Sequence, residues 1–350
     1  MAIVGAGATV GDLSYISIGR EITYGTYVAG TAGLNFLSAS IVATKEFKIL
    51  EEIQTSRTNS NGISLGKTVE GEIESYFSPM ALAHNFLLHN AFGGGLPVTA
   101  TATGETVGGG ALTHTISIGN FDVTYSSLSI NMRKGDSATG KLFEYSGIRV
   151  NELSFSAELD EALKVSYGII AKDVTIASSD LASSISTLNQ KPLSFVNGRF
   201  SVESSAASLT SSVFWHVQSM SFKLSNNLNT DSRRIGSDLI NVLPAGLAQF
   251  ELSCTMRFDT TTAFTAMMAG TRLYAEFEFL GDTITGSVAR EGIKLTMPYV
   301  VISNAGDPEV GGPSDVLTSE VTFAVLRDPT SGGYAVKAFV TNLSTAANYA

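Results

Sequence analysis

Two stretches of the 350-residue chain say nearly the same thing. Residues 165–173 read VSYGIIAKD and residues 321–328 read VTFAVLRD. Val165 answers Val321, Ser166 answers Thr322, Tyr167 answers Phe323, and Ile169 answers Val325. The pair Lys172-Asp173 answers Arg327-Asp328. Both stretches alternate apolar with small or polar residues and close on a basic–acidic step, the pattern of a half-buried strand leaving a sheet. A chain that repeats such a unit is confined to folds assembled from copies.

The rest of the sequence carries the repeat further. TVEGEIESYF (68–77) sets Val69, Gly71, Ile73, Ser75 and Phe77 on one side and Glu70, Glu72, Glu74 and Tyr76 on the other. LAQFELSCTMRF (247–258), ELSFSAEL (152–159) and RLYAEFEF (272–279) alternate in the same way, so most of the chain reads as β-strand. After Phe77, Ser78 fits a helix N-cap, Pro79 a first helical residue and Gly93 a stop. After Phe258, Asp259 and Gly270 take the cap and stop roles, 181 positions on (258 − 77). EFKI (46–49) answers SFKL (221–224), and GIRV (147–150) answers GIKL (292–295).

Landmarks in one order imply a tandem duplication. One copy spans 35–178 and the other 212–330, with a Ser/Ala-rich linker at 179–211 and arms at 1–34 and 331–350. The first copy carries extra length at 93–115, Gly/Thr-rich around Gly93, Gly95, Pro97, Thr106 and Gly110, which reads as a long loop or hairpin arm acting outside its own domain.

Composition narrows the function. Only 15% of residues are charged, against roughly 25% in ordinary soluble domains, so much of the surface is expected to be covered by other protein. The net charge of −10 and the lack of a basic cluster argue against gripping nucleic acid. The single Cys254 reads as a small core residue. The start has no secretory pattern and no run reaches the length of a membrane span, so folding in a cytoplasm without membrane insertion is expected.

Motifs that resemble catalytic ones lack their context. GISLG (62–66) matches a nucleophile elbow, but Ser64 follows a polar loop and precedes a strand instead of turning into a helix. GAGATVG (5–11) has Val10 where a dinucleotide fingerprint needs its third glycine. His84 and His89 are five apart, a poor spacing for a metal pair on one helix face, and His114 and His216 stand alone in sequence. No enzyme and no cofactor or metal is expected. The acidic strand faces are more informative: Glu70, Glu72 and Glu74 on one, Glu152 and Glu158 on another, Glu251 on a third, Glu276 and Glu278 on a fourth. Each reads either as an ordinary solvated sheet face or as a negative wall that an anion slides past.

With these residues in view the chain resembles the tail tube (major tail) proteins of long-tailed bacteriophages. EFKI, GKTVEGEIESYF, the capped helix into NAFG, YSGIRVNELSFSAELDEALKVSYGIIAKD and REGIKLTMPYVVIS with SEVTFAVLRD carry the resemblance, over about 35–178 and 212–330. It implies a β-sandwich with a flanking short helix in each of two domains, whose sheets join a continuous inner barrel. It implies a virion structural protein, assembled in the host cytoplasm, whose homotrimers stack as pseudo-hexameric rings into a tube of a non-contractile tail. Its partners would be further copies, the tape measure, terminator and tip or baseplate proteins, and double-stranded DNA in transit. Roughly 24 strands tilted about 40° give a circumference near 150 Å and a backbone diameter of about 48 Å, whereas roughly 12 strands give about 24 Å. A duplex passes the first and jams in the second. Rival readings are a surface-layer or fibre assembly, the inner tube of a contractile injection system, or a sandwich hydrolase using Ser64. Deleting 95–110 is expected to block tube growth, scored by electron microscopy of the concentrated protein.

Overall fold

The alternating runs form strands of one antiparallel system, seen in a computed structural model. It describes residues 14–53, 55, 57–94, 99–102, 110–119, 121, 127–135, 141–177, 185, 191–206, 208–210, 215–258, 261–306, 317–330 and 333–343. In chain order come β1 (Tyr15–Glu21), β2 (Ala32–Leu34), β3 (Ser38–Ala39), β4 (Val42–Ile49) and β5 (Gly62–Tyr76), then helix α1 (Leu82–Ala91). They are followed by β6 (Thr99–Ala102), β7 (Leu112–Ser117), β8 (Ser127–Lys134), β9 (Lys141–Glu158), β10 (Lys164–Ala171) and β11 (Asp173–Ala177). The second half holds β12 (Gly198–Glu203), β13 (Val217–Ser225), β14 (Gln249–Arg257) and helix α2 (Thr262–Ala269). It ends with β15 (Leu273–Thr283), β16 (Arg290–Ala305), β17 (Thr318–Val325) and β18 (Lys337–Asn342).

The pairings resolve into a long inner sheet and two outer ones. The inner order is β4-β5-β10-β9-β13-β14-β17-β16, with β3 alongside β5 in line with β4. One outer sheet runs β2-β1-β8-β9-β11. The other runs β12-β15-β16-β18-β7-β6. β9 and β16 serve twice: the first half of each lies in an outer sheet and the second half in the inner one. Between the layers lies one continuous core, reaching from Ile16 and Phe77 through Phe155, Phe222 and Phe277 to Val340. Edge-to-face rings hold its middle, with Phe155 5.3 Å from Phe77 and 6.3 Å from Phe277.

β9 changes sheets at Gly147, whose φ of +66° suits glycine and few other residues. A buried carboxylate fixes the bend. Glu21 Oε1 accepts from the N–H of Gly147 at 2.8 Å and from Ser129 Oγ at 2.7 Å. Its Oε2 accepts from Ser127 Oγ and the N–H of Gly25, each at 2.7 Å. The burial of this charge is thus matched by four donors.

The two halves of the inner sheet share a register as well as an order. Ser38↔Glu74, Ala39↔Ile73, Val42↔Glu70, Ala43↔Val69 and Thr44↔Thr68 become Ser219↔Thr255, Met220↔Cys254, Lys223↔Glu251, Leu224↔Phe250 and Ser225↔Gln249. The offset is 181 throughout (219 − 38). The same irregularity recurs too: the β10–β9 ladder skips Asn151, and the β17–β16 ladder skips Ser303. These ladders correct the sequence matches. SASIVAT (38–44), not EFKI, stands where SMSFKLS (219–225) stands. Tyr167 is equivalent to Val321, two residues from the match by letters, and YVVI (299–302) replaces GIKL as the counterpart of GIRV. The slip of two at Tyr167 leaves every side chain on its own face, so alternation alone does not detect it, whereas the GIRV match is off by seven (299 − 292).

The expected arms and linker also need correction. Within 1–34, β1 and β2 belong to an outer sheet and bury Ile16 and Ile18. Within 331–350, β18 pairs with both β16 and β7, and within 179–211, β12 pairs with β15. These strands are too short, in Gly- and Ser-rich surroundings, for period 2 to stand out. Of the 93–115 segment, Gly93 is buried after α1 and its carbonyl accepts from Phe121 N–H at 3.0 Å. Leu112–Ser117 is β7, while Gly110 is exposed. Gly95, Pro97 and Thr106 lie outside the described residues, as do GAGATVG and Asp259.

Helix α1 starts at Leu82 with Ala81 as its cap, later than Ser78-Pro79 suggested, because Ser78 instead closes a turn in which its carbonyl accepts from Ala81 N–H at 3.2 Å. Helix α2 stops where expected, at Gly270 in the left-handed region with φ of 58°. His84, His89 and His114 are buried, and Cys254 is buried with its thiol pushed up to about 12 by desolvation. The His84 ring lies 3.1 Å from Tyr167 Oη and 3.3 Å from Ser75 Oγ. Burial lowers its pKa to about 4. The unfolded chain takes up this proton below about 6.5 and the folded chain only below about 4, so this residue makes stability rise with pH between those values. His84→Gln is expected to remove about 3 kcal/mol of that pH dependence, read as the difference from wild type in urea midpoints at pH 4 and pH 7.5.

Candidate functional site

Alternation along the inner sheet sends one set of side chains into the core and leaves the other set open. Inward go Ile73, Tyr167, Phe155, Phe222, Cys254 and Phe323, all buried. The opposite face is carboxylate- and hydroxyl-rich. On β5, Glu70, Glu72 and Glu74 are exposed. Across the ladder, Glu72 stands opposite Gly168 and Gly168 opposite Glu152. Next come Ser225 opposite Glu152, Lys223 opposite Glu251, and Ser219 opposite Glu158. Glu70, Glu72, Glu74, Glu152, Glu158 and Glu251 therefore share one continuous face that runs across both halves of the chain.

Between Glu72 and Glu152 the face dips over Gly168, forming an open cavity of ≈ 430 Å³ that Glu70, Asn151, Ser166 and Lys223 also line. A Cβ at Gly168 would come within 3.2 Å of Glu152 Cβ, so a side chain there would crowd the dip. Serines brace the β5 carboxylates: Ser38 Oγ donates to Glu74 Oε2 at 2.8 Å, and Ser166 Oγ donates to Glu72. Lys223 Nζ sits 3.0 Å from Glu152 Oε2. That hydrogen bond and charge raise the lysine pKa, with Glu251 and Glu72 adding to the effect.

Glu320 joins this face opposite Thr255, a member that the sequence reading missed. Its signal was present in SEVTFAV, where Glu320, Thr322 and Ala324 alternate against the buried Val321, Phe323 and Val325. Among the described residues the face carries the cations Lys164, Lys223 and Arg257, with Arg149 buried on the rung of Ile170 and Glu70, and the carboxylates outnumber them. Alternate residues along a strand stand about 6.6 Å apart, where like charges repel by about 0.6 kcal/mol in water. The repulsion within the Glu70–Glu72–Glu74 row is thus small enough for the fold to carry, while the summed field still repels a polyanion.

Glu276 and Glu278 belong elsewhere. Both sit on β15 in an outer sheet, paired with β12 and β16. Arg199 clamps them, with Nη2 3.0 Å from Glu276 Oε1 and Nε 2.7 Å from Glu278 Oε2, and Lys294 stands 3.8 Å from Glu276. Desolvation raises the pKa of Glu278, and Arg199 opposes that rise first among the nearby charges. Glu276 is buried and Glu278 half-buried, both neutralised by these cations, unlike the open row. Ser64, offered by GISLG, lies inside β5 opposite Phe47, away from any strand-to-helix turn. Among the described residues no cluster of His, Cys, Asp and Glu could hold a metal ion. Arg199→Met is expected to destabilise the protein by about 1–3 kcal/mol at pH 7 by leaving two carboxylates desolvated. The loss should shrink at acid pH as Glu278, whose pKa desolvation raises, protonates, which urea unfolding at pH 7 and at pH 4.5 measures.

Comparison with known proteins places this geometry. The sequence profile described as "Phage tail tube protein" matches residues 11–325. No curated protein is similar in sequence to the chain. Among solved structures, one titled "Crystal structure of Hcp protein" is similar at 16% identity with a TM-score of 0.24, covering 36% of this chain and 86% of that one. The match to the profile spans both halves of the inner sheet and the whole of its open face: the chain belongs to the phage tail tube protein family.

Proposed function

We propose that three copies of this chain close into a ring, that rings stack into the tube of a non-contractile phage tail, and that the open carboxylate face lines the bore through which double-stranded DNA passes. The observation that carries this reading is the repeated inner sheet. It has the same strand order, register and skipped residue twice over, which we read as two tandem copies of one tail tube domain. Three such chains supply roughly 24 strands, the number whose barrel admits a duplex. The core-facing side of the sheet is covered by the outer sheets and helices, so its open side is the one left to face a lumen.

Lining and closure then follow from chemistry. A wall of Glu, Ser and Thr repels phosphate without offering it donors at fixed spacing, so DNA slides instead of binding. Closing the sheet between copies also removes two exposed edges. The apolar hairpin side chains Phe47, Ile49, Ile53 and Ile63, all exposed in the single chain, fit burial between subunits. Tape measure, terminator and tip proteins would cap the ends of such a tube in the virion.

Negative-stain microscopy of the concentrated protein should give hollow tubes with a central channel of about 40 Å and three-fold averages. A flat lattice or solid fibrils would replace this reading with a surface-layer one. The triple variant Glu72→Lys, Glu152→Lys, Glu251→Lys should still form tubes yet retain DNA in a salt-dependent manner, and virions carrying it should eject more slowly. Unchanged ejection would remove the open face from the bore.

A further inference from the structure

The joint between the two halves of the inner sheet lies inside the chain, and it is a template. β9 and β13 pair from Glu158↔Ser219 to Glu152↔Ser225. One step further, the N–H of Asn226 donates to the carbonyl of Asn151 at 2.8 Å. Hydrogen-bonded pairs recur at every second residue of an antiparallel ladder. Leu153 with Leu224 is therefore a hydrogen-bonded pair, and Glu152 with Ser225 is a closer, non-hydrogen-bonded one.

The two outer edges of the inner sheet carry the same strands again. Ser38–Thr44 stands where Ser219–Ser225 stands. Ser303, Asn304 and Ala305 stand where Asn151, Glu152 and Leu153 stand. Among the described residues β4 pairs only with β5, and the end of β16 pairs only with β17. The phase of each edge is also fixed. Ser40 N–H donates to the Glu72 carbonyl at 2.9 Å, so Val42 and Thr44 bond inward to β5 while the N–H and C=O of Ala43 point out from the edge. On the other edge the N–H of Ala305 meets the thioether of Met267, with Sδ at 3.1 Å. A thioether is a weak acceptor for a backbone donor.

We propose that a second copy of this chain completes that edge in the register of the internal joint. Ala43 of one copy lies opposite Ala305 of the next, Thr44 opposite Asn304 and Val42 opposite Gly306. The Ala43 carbonyl then replaces the Met267 sulfur as the acceptor for Ala305. This seam rests on the ring reading above and specifies the contact that closes the ring. Its chemistry differs from the internal joint in one respect. Val42 and Asn304 occupy the places of Lys223 and Glu152, so the 3.0 Å ion pair of the joint has no counterpart in the seam. The seam therefore lacks the one salt-screened contact that the joint has.

The test uses the full chain with Thr44→Cys and Asn304→Cys, assembled and then mildly oxidised; the native Cys254 is buried. Non-hydrogen-bonded partners sit about 4.5 Å apart at Cα, inside the range a disulfide spans. The expected result is a covalent three-chain species on a non-reducing gel. Either single variant should give none, and Thr44→Cys with Gly306→Cys, about 7–8 Å apart, should give at least about tenfold less. Equal or stronger linkage in that shifted pair overturns the register, as does absence of linkage in tubes visible by microscopy. In both cases the ring reading survives. Wild-type protein that forms neither tubes nor rings under any condition overturns the ring reading itself. A second variant, Ala43→Pro, removes an edge N–H that β5 does not use, so the monomer should keep its Tm and fail to assemble. Assembly of this variant at the wild-type level also overturns the seam.

Discussion

The structure depends on one strand's belonging to two sheets. β9 enters beside β8 and β11, bends at Gly147, and leaves between β10 and β13. Its inward residues Leu153 and Phe155 are fully buried against Phe77, Phe222 and Phe277, so the two halves of the chain meet through packed aromatic rings instead of a solvated linker. Arg149, just past the bend, donates to the carbonyls of Leu243 and Phe121 and lies 5.1 Å from the Tyr24 ring. The N-terminal strand, the first half and the β13–β14 connection are all tied at this point.

That arrangement determines what the open face can be. Because β9 and β13 are hydrogen-bonded neighbours, the carboxylates of the first half and those of the second lie on one surface with one curvature. Lys223 moderates the crowding where the halves meet, and Gly168, with no side chain, leaves the dip between Glu72 and Glu152 open. The charge is spread in rows with hydroxyls between them, which keeps the field broad and denies any one site a high affinity for a cation or a phosphate.

Much of this was legible in the letters. The inward and outward sets on β5, β9, β10 and β14 follow from period 2, and Gly270 ends its helix where its type demands. That the carboxylates of β5, β9 and β14 share one face follows only from the ladder that joins those strands. What failed did so for physical reasons. Matching words align the repeats by letter, yet register is set by cross-strand pairing, and Tyr167 against Val321 shows that a slip of two costs nothing in pattern. β1, β12 and β18 escaped because short strands gain their identity from partners distant in sequence. Glu276 and Glu278 looked like the open row because Arg199, which neutralises them, lies on a strand 75 or more residues away in a segment read as linker. Glu320 was overlooked although its alternation was as clear as that of Glu70.

The skipped residues Asn151 and Ser303 have a geometric meaning beyond marking the repeat. A single extra residue in one strand of an antiparallel pair bends that strand and sharpens the local twist. Here it recurs at the same rung of each half. In the ring proposed above, these kinks would set the curvature of the wall at the same rung of each half. The calibre of such a channel would then be written into the backbone, and deleting the extra residue at Ser303 would straighten that strand and change the channel's width.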